Sequence, residues 1–267
     1  MDSPEMTFWD HLEVLRWSIF RVLIALGVLV VACFIAMPHI FDSFVLGPTT
    51  SDFFIYKWFA VLGGGHEAGR GAANMLMPDF SGNSFKVEII NINVATQFLT
   101  HISTSFWFAL VLVFPYLFYE LWKFISPALY SNEKKGVKTG FIAGSILFFL
   151  GCAIGYCLVF PLTFRFLTQY QIATGITNQI SLNSYISTFL TIIFIMGLVF
   201  EMPMLAWVLS KIGVLKKQFL KDYRRHAIVI LIALAALITP SGDPFTLTVV
   251  FLPLYLLYEL SILVVRE

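Results

Sequence analysis

Between Arg165 and Lys211 the sequence carries one charged residue, Glu201, inside the apolar run Ile192-Ile-Phe-Ile-Met-Gly-Leu-Val-Phe-Glu-Met-Pro-Met-Leu-Ala-Trp-Val-Leu209. A charged side chain at a bilayer centre costs roughly 2.5–3.5 kcal/mol on insertion scales. Such a carboxylate must be paired, protonated or open to a water-filled cavity. Glu201 is therefore the first candidate for a membrane-embedded polar site, and proton relay or ion coupling is the chemistry it offers. Few other residues offer any. Cys33, Cys152 and Cys157 all lie in apolar runs without metal-like spacing, as small core hydrophobes do. The five histidines are scattered, and His101 reads more simply as a packed or interfacial residue than as a relay. No Gly-rich loop opens a helix, and neither H-E-x-x-H nor G-x-S-x-G occurs. No catalytic residue, metal site or cofactor is predicted, and an enzyme is not expected.

The elements that must hold Glu201 are membrane spans. Of the 267 residues 58% are hydrophobic and 12% charged, against about 45–50% and 25% in soluble domains. Lipid must cover part of that apolar surface. The net charge of +1 offers no field for nucleic acid. Acidic residues precede the first apolar run, which is too long for a signal-peptide core, so the first span is expected to remain as an anchor. Six spans are predicted in a single integral membrane domain over 1–267, at about 17–37, 94–119, 139–164, 184–209, 227–239 and 245–265. The last two are short, and about 20 helical residues are needed to cross. With the N-terminus cytoplasmic, thirteen of the 17 Lys and Arg residues fall on cytoplasmic segments; only Lys57, Arg70, Lys86 and Arg165 fall opposite. By the positive-inside rule both termini are cytoplasmic.

The connections carry further signals. Thr7 and Asp10 approximate a capping box, and Phe8, Leu12 and Leu15 recur at helical spacing. These features predict a short amphipathic helix over 7–16 at the inner surface, with Asp10, Glu13 and Arg16 on its polar face. In the long first outer loop, residues 63–71 are Gly-rich, and Phe85–Asn93 partly alternates as a short strand does. Aromatic residues followed by lysines over Pro115–Lys135 look like an interfacial belt leading into the first inner loop.

Taken in order, six pieces of the chain resemble TatC, the large polytopic subunit of the twin-arginine protein translocase. They are His11-Leu-Glu-Val-Leu-Arg16, Pro48, Trp122-Lys-Phe-Ile-Ser-Pro-Ala-Leu-Tyr130 with Glu133, Phe160-Pro161 ending the third span, Phe200-Glu-Met-Pro203, and Ile238-Thr-Pro-Ser-Gly-Asp243. The resemblance implies an all-α polytopic membrane protein with six transmembrane helices. Its shape would be a glove with a concave membrane-embedded face, formed partly by short fifth and sixth helices. It also implies a receptor for the twin-arginine signal peptides of folded cargo, working in the cytoplasmic membrane on the proton-motive force. Its partners would be TatA and TatB single-span proteins, further TatC copies and the lipid bilayer.

By position, the resemblance assigns signal-peptide binding to Glu133, Phe124, Pro127, Tyr130 and Arg16. Signal arginines need carboxylates, because a guanidinium makes strong bidentate bonds to them. The family commonly has Glu directly before Leu-Arg, where this chain has Val14, so Asp10 or Glu13 is expected to supply the second carboxylate. Pro48 and Asp243 fall in the periplasmic cap. Ala236, Leu237, Ile238 and Thr239 fall where the fifth helix meets a partner helix, and Glu201 falls on the concave face. Leu247 departs from a common family Gln. A secondary transporter with an intramembrane carboxylate is the rival, although such folds often show internal repeats and none is visible here.

Overall fold

A computed structural model describes residues 8–50, 53–57, 87–126, 131–170, 178–239 and 241–265, without the side chains of residues 8, 10, 11 and 131–138. Among them, five helical stretches are long and apolar enough to cross a membrane: Leu12–Thr49, Thr96–Ile125, Thr139–Gln169, Leu182–Lys211 and Pro244–Val264. The Gly-rich segment 63–71 lies outside the described residues.

Helix α1 spans Phe8–Ile40. The amphipathic segment expected to lie apart on the surface is instead its first turns. No Gly or Pro occurs between Phe8 and Leu26, so nothing stops the helix before the first span. Near its far end Pro38 has no N–H to give to the Phe34 carbonyl. His101 takes that place, its Nε2 2.8 Å from the Phe34 oxygen and its ring stacked on Phe34. His101 is thus a packed histidine that repairs a proline gap. A π-helical turn over Phe41–Val45 follows, then a 3-10 turn over Gly47–Thr49.

Helix α2 (Thr96–Ile125) runs six residues past its predicted end, so Trp122 and Phe124 are helical, not loop residues. Helix α3 (Ser131–Ile154) passes through a π-helical turn, Gly155–Val159, into α4 (Phe160–Gln169). Pro161 was expected to end the third span. It opens α4 instead, where its missing N–H removes no α-helical bond. The predicted fourth span is two helices, α5 (Leu182–Val199) and α6 (Met202–Lys211). Pro203 cannot donate to the Val199 carbonyl, and the chain breaks just before it, at Phe200 and Glu201.

After α7 (Lys217–Asp222) come α8 (Arg224–Ile238) and α9 (Pro244–Val264). Helix α8 has 15 residues, about 22 Å of rise against roughly 30 Å of hydrocarbon. Helix α9 has 21 and is long enough alone. The two form an antiparallel hairpin, closed at its open end by Arg224 bonding Glu259 at 2.8 Å and by the Tyr258 hydroxyl donating to the Leu220 carbonyl. The predicted strand is present as β1 (Ile89–Ile90). Its partner was not foreseen: β2 (Ile180–Ser181), paired in parallel and immediately preceding α5.

Small residues set the closest helix approach, as is usual where lipid removes the hydrophobic drive between helices. Gly151 and Gly155 of the third span lie against α5; a Cβ at Gly151 would stand 2.6 Å from the Met196 carbonyl oxygen. Gly197 returns the contact, leaving no room beside Cys152 and Phe148. Around this crossing Phe160, Phe164, Tyr185 and Phe189 form an edge-to-face lattice, while Phe114 stacks on Phe148 to bring α2 in. Consecutive spans run antiparallel, so Arg16, Lys123 and Lys211 mark one end of the bundle, called the basic end below.

Candidate functional site

At the basic end α1 presents Glu13 and Arg16 to the exterior, and the Arg16 guanidinium lies over the Phe20 ring. Phe124 is half-buried in the last turn of α2. The two helices are tied together beneath these residues. Arg21 Nη2 donates to Glu120 Oε2 at 2.9 Å and to Ser18 Oγ at 3.1 Å, and the Tyr116 hydroxyl donates to Glu120 Oε1 at 3.1 Å. Glu120 is only 4% exposed, and each of its oxygens has a donor. Only the carboxylate is fully taken out of water: Arg21 keeps 39% of its side chain accessible, and its Nε has no partner among the described residues. The sequence reading missed this tie. Its signal was present: Arg21 is the one charge between Trp17 and Met37, and Glu120 is the first acidic or basic residue after Glu88, His101 apart. Pro127 and Tyr130, with the side chains of Asp10 and Glu133, lie outside the described residues.

Glu201 is equally buried, at 4%, but its setting differs. It occupies the break between α5 and α6, and neither carboxylate oxygen has a hydrogen-bond partner among the described residues. Its Oε2 lies where a Cβ on Gly144 would come within 2.9 Å, beside Phe118 and Met204. Glu201, expected on the concave face, is packed between α2, α3 and α6. Gly144 is what makes room for it.

At the opposite end Pro48 is buried, and its carbonyl accepts from the Tyr56 hydroxyl at 2.9 Å. The same hydroxyl reaches the Pro161 carbonyl at 3.3 Å, and the buried Arg165 lies over the Tyr56 ring at 4.9 Å. Burial raises the Tyr56 hydroxyl well above its ordinary pKa, with the Arg165 charge opposing. Asp243 caps α9, accepting from the Thr246 N–H at 2.8 Å, the Thr246 hydroxyl at 2.5 Å and the Ser241 hydroxyl. Partial burial pushes its carboxyl up, but these donors outweigh it and hold the pKa below the ordinary value. Pro48 and Asp243 are joined through α4. Arg165 meets Tyr56, and the next residue, Phe166, stacks on Phe245.

The four residues expected to meet a partner helix divide by helical geometry. Ala236 and Leu237 face outward, Leu237 at 80% exposure, while Ile238 and Thr239 are buried. Consecutive helical residues turn by about 100°, so four in a row cannot share one face. The Thr239 hydroxyl is already engaged by the Ala235 carbonyl at 3.0 Å.

Comparison with known proteins agrees with this arrangement. The family model described as Sec-independent protein translocase protein (TatC) matches residues 10–253. The TatC protein of Blattabacterium sp. subsp. Periplaneta americana (strain BPLAN) is 36% identical over 264 residues, covering 98% of this chain and 95% of the relative. That of Helicobacter pylori (strain J99) is 37% identical over 188 residues, covering 70% and 75%. A crystal structure of the twin arginine translocase receptor TatC in DDM superposes with a TM-score of 0.74 at 27% identity, covering 96% of this chain and all of that one. A family described as Sec-independent protein translocase proteins agrees with a chain of several membrane-spanning helices. The chain belongs to the TatC family of Sec-independent protein translocase proteins.

Proposed function

We propose that this protein is the signal-peptide receptor and assembly core of a twin-arginine translocase. It binds the signals of folded proteins and, with TatA- and TatB-type single-span partners, supports their transport on the proton-motive force. The basic end faces the cytoplasm, because thirteen of the 17 cationic residues fall on that side. The membrane is then the cytoplasmic one, with both termini inside. The observation that carries this proposal is the tie between α1 and α2. It fixes, relative to one another, the two helices whose ends carry Glu13, Arg16 and Phe124, and it leaves the exposed Glu13 carboxylate for a guanidinium. The first carboxylate is Glu133, in the first turn of α3, and Glu13 or Asp10 supplies the second. Asp10 shares the face of Val14 one turn earlier and is the other source of negative charge. Pro127 and Tyr130 shape the surface between them. At the far end Pro48 and Asp243 brace the cap, and Ala236 and Leu237 offer the outward face of the short α8 to a partner helix.

Two arginines on a signal peptide select carboxylates because each guanidinium can bond one in a fork; lysine gives only a point charge. The test is site-specific crosslinking from position 133 to a twin-arginine peptide, with a twin-lysine peptide as control. Adducts are expected with the first and at least about tenfold fewer with the second. Charge reversal at both Asp10 and Glu13 is expected to abolish the adduct. Intact crosslinking in that double variant would refute their role.

A further inference from the structure

At the basic end, between the last turn of α6 and α7, lies a concavity apart from Glu13, Arg16 and Phe124. Gly213, at φ +81°, reverses the chain after α6. Lys216, Lys217 and Lys221 are thereby brought around the same cavity as Lys211, a space of about 680 Å³ walled by Trp207. Lys217 and Lys221 are four residues apart on α7, a spacing at which like charges repel. Among the described residues no carboxylate lines the cavity. The one acid of α7, Asp222, is bonded by Gln218 at 2.8 Å, and among the described residues none of the four lysines is ion-paired. Lys211 also lies over the Trp207 ring at 5.9 Å; four cations around one hollow, with no acid beside them among the described residues, call for an anion.

Trp207 also walls a second space. Its indole rests on Gly140, where a Cβ would come within 2.3 Å. With Gly140 it lines an apolar groove of about 440 Å³ whose walls include Ala143, Leu147, Leu260 and Val264, from the membrane-spanning parts of α3 and α9. The lysine cavity therefore adjoins a lipid-facing apolar channel across a single indole. A soluble anion fits only the first space, and an uncharged acyl chain only the second. We propose that this is a binding site for an anionic diacyl phospholipid, its phosphate among Lys211, Lys216, Lys217 and Lys221 and an acyl chain in the groove beside Trp207. Basic pockets between spans at a membrane surface take such head groups, at about fivefold in affinity per lysine.

The test is native mass spectrometry of the purified full chain in detergent. It compares dioleoyl-phosphatidylglycerol, dioleoyl-phosphatidylcholine and glycerol 1-phosphate. The chain should retain phosphatidylglycerol at least about tenfold better than either of the others. Neutralising Lys211, Lys216, Lys217 and Lys221 to Gln should remove that preference, while changing all four to Arg should keep it. A charge change at Lys123, on α2 and outside both linings, should leave retention within about twofold, separating a built site from diffuse attraction to a basic surface. Ala143→Trp, which fills the groove, should lower retention of the lipid. The proposal is overturned if phosphatidylcholine binds as well, if glycerol phosphate binds as tightly as the lipid, or if an acidic peptide displaces the lipid at equal concentration. The lipid comparison on the unaltered chain decides the matter even if a variant does not fold. None of these readouts depends on signal-peptide recognition.

Discussion

Glu120, in α2, and Glu201, in the break between α5 and α6, are each 4% exposed, yet they are held by opposite means. Glu120 has a cation and a hydroxyl on its two oxygens and joins α1 to α2 near the basic end, as His101 and the Phe34 carbonyl join them near the other. Glu201 has no donor among the described residues and is accommodated by what is missing around it: the Cβ of Gly144 and the N–H of Pro203. The first is a bond that stabilises. The second is a space that tolerates. Burial alone therefore does not say what a carboxylate contributes in this fold.

Three measurements can break or sharpen that contrast. The largest effect is expected from Glu120→Ala, which strands Arg21 between two spans. Losing one partner of a fully buried pair costs roughly 3–5 kcal/mol. Because Arg21 is partly exposed, with 39% of its side chain accessible, about 2–3 kcal/mol is expected here after solvent screening. Unfolding in detergent would show it, and adding Arg21→Ala should restore part of the loss. A double variant no better than the single one would mean the pair is not a unit.

A smaller effect is expected at Asp243, a carboxylate satisfied entirely by its own helix start. Asp243→Ala should cost about 1 kcal/mol, the usual worth of an N-cap. Because its folded pKa is depressed, its contribution is complete above the unfolded value near ~3.9 and is lost as pH falls through the lower folded value. The deficit of the variant should therefore shrink on acidification below about pH 4. A deficit that grew instead would reverse the sign assigned to those hydrogen bonds. The smallest effect is expected from Glu201→Gln, which removes no bond and leaves the shape unchanged. The unfolding midpoint should stay within about 0.5 kcal/mol of the parent or rise. A loss approaching that of Glu120→Ala would show that Glu201 has a partner after all, and the contrast would collapse.

How much of this was legible in the sequence varied with the range of the interaction. The spans follow from apolar length, and the break beside Glu201 could have been read from Pro203, two residues on. The run Gly151-Cys-Ala-Ile-Gly155 was also present as a small-residue spacing, though its partner helix was not. Arg21 and Glu120 are 99 residues apart, and no periodicity links them. The surface helix over 7–16 was misjudged because amphipathic spacing shows which face is polar, not where a helix ends. Of the signal-binding set, Glu13, Arg16 and Phe124 are placed on tied helices. Asp10 and Glu133 rest on their positions in the chain.

The two π-helical turns have a further consequence. Tyr156, in the turn Gly155–Val159, stacks on Phe44, in the turn Phe41–Val45, and its hydroxyl donates to the Phe44 carbonyl at 3.0 Å. Each wide turn holds one more residue than an α-helix would need. Deleting a single residue from Gly155–Val159 would rewind α4 by about 100°, carrying Arg165 off the Tyr56 ring and Phe166 off Phe245. The length of this helix is thus constrained to the residue, as a key's teeth are constrained by its lock. Relatives that lose or gain a residue here must compensate in the turn at Phe41–Val45, so the two lengths should change together or not at all.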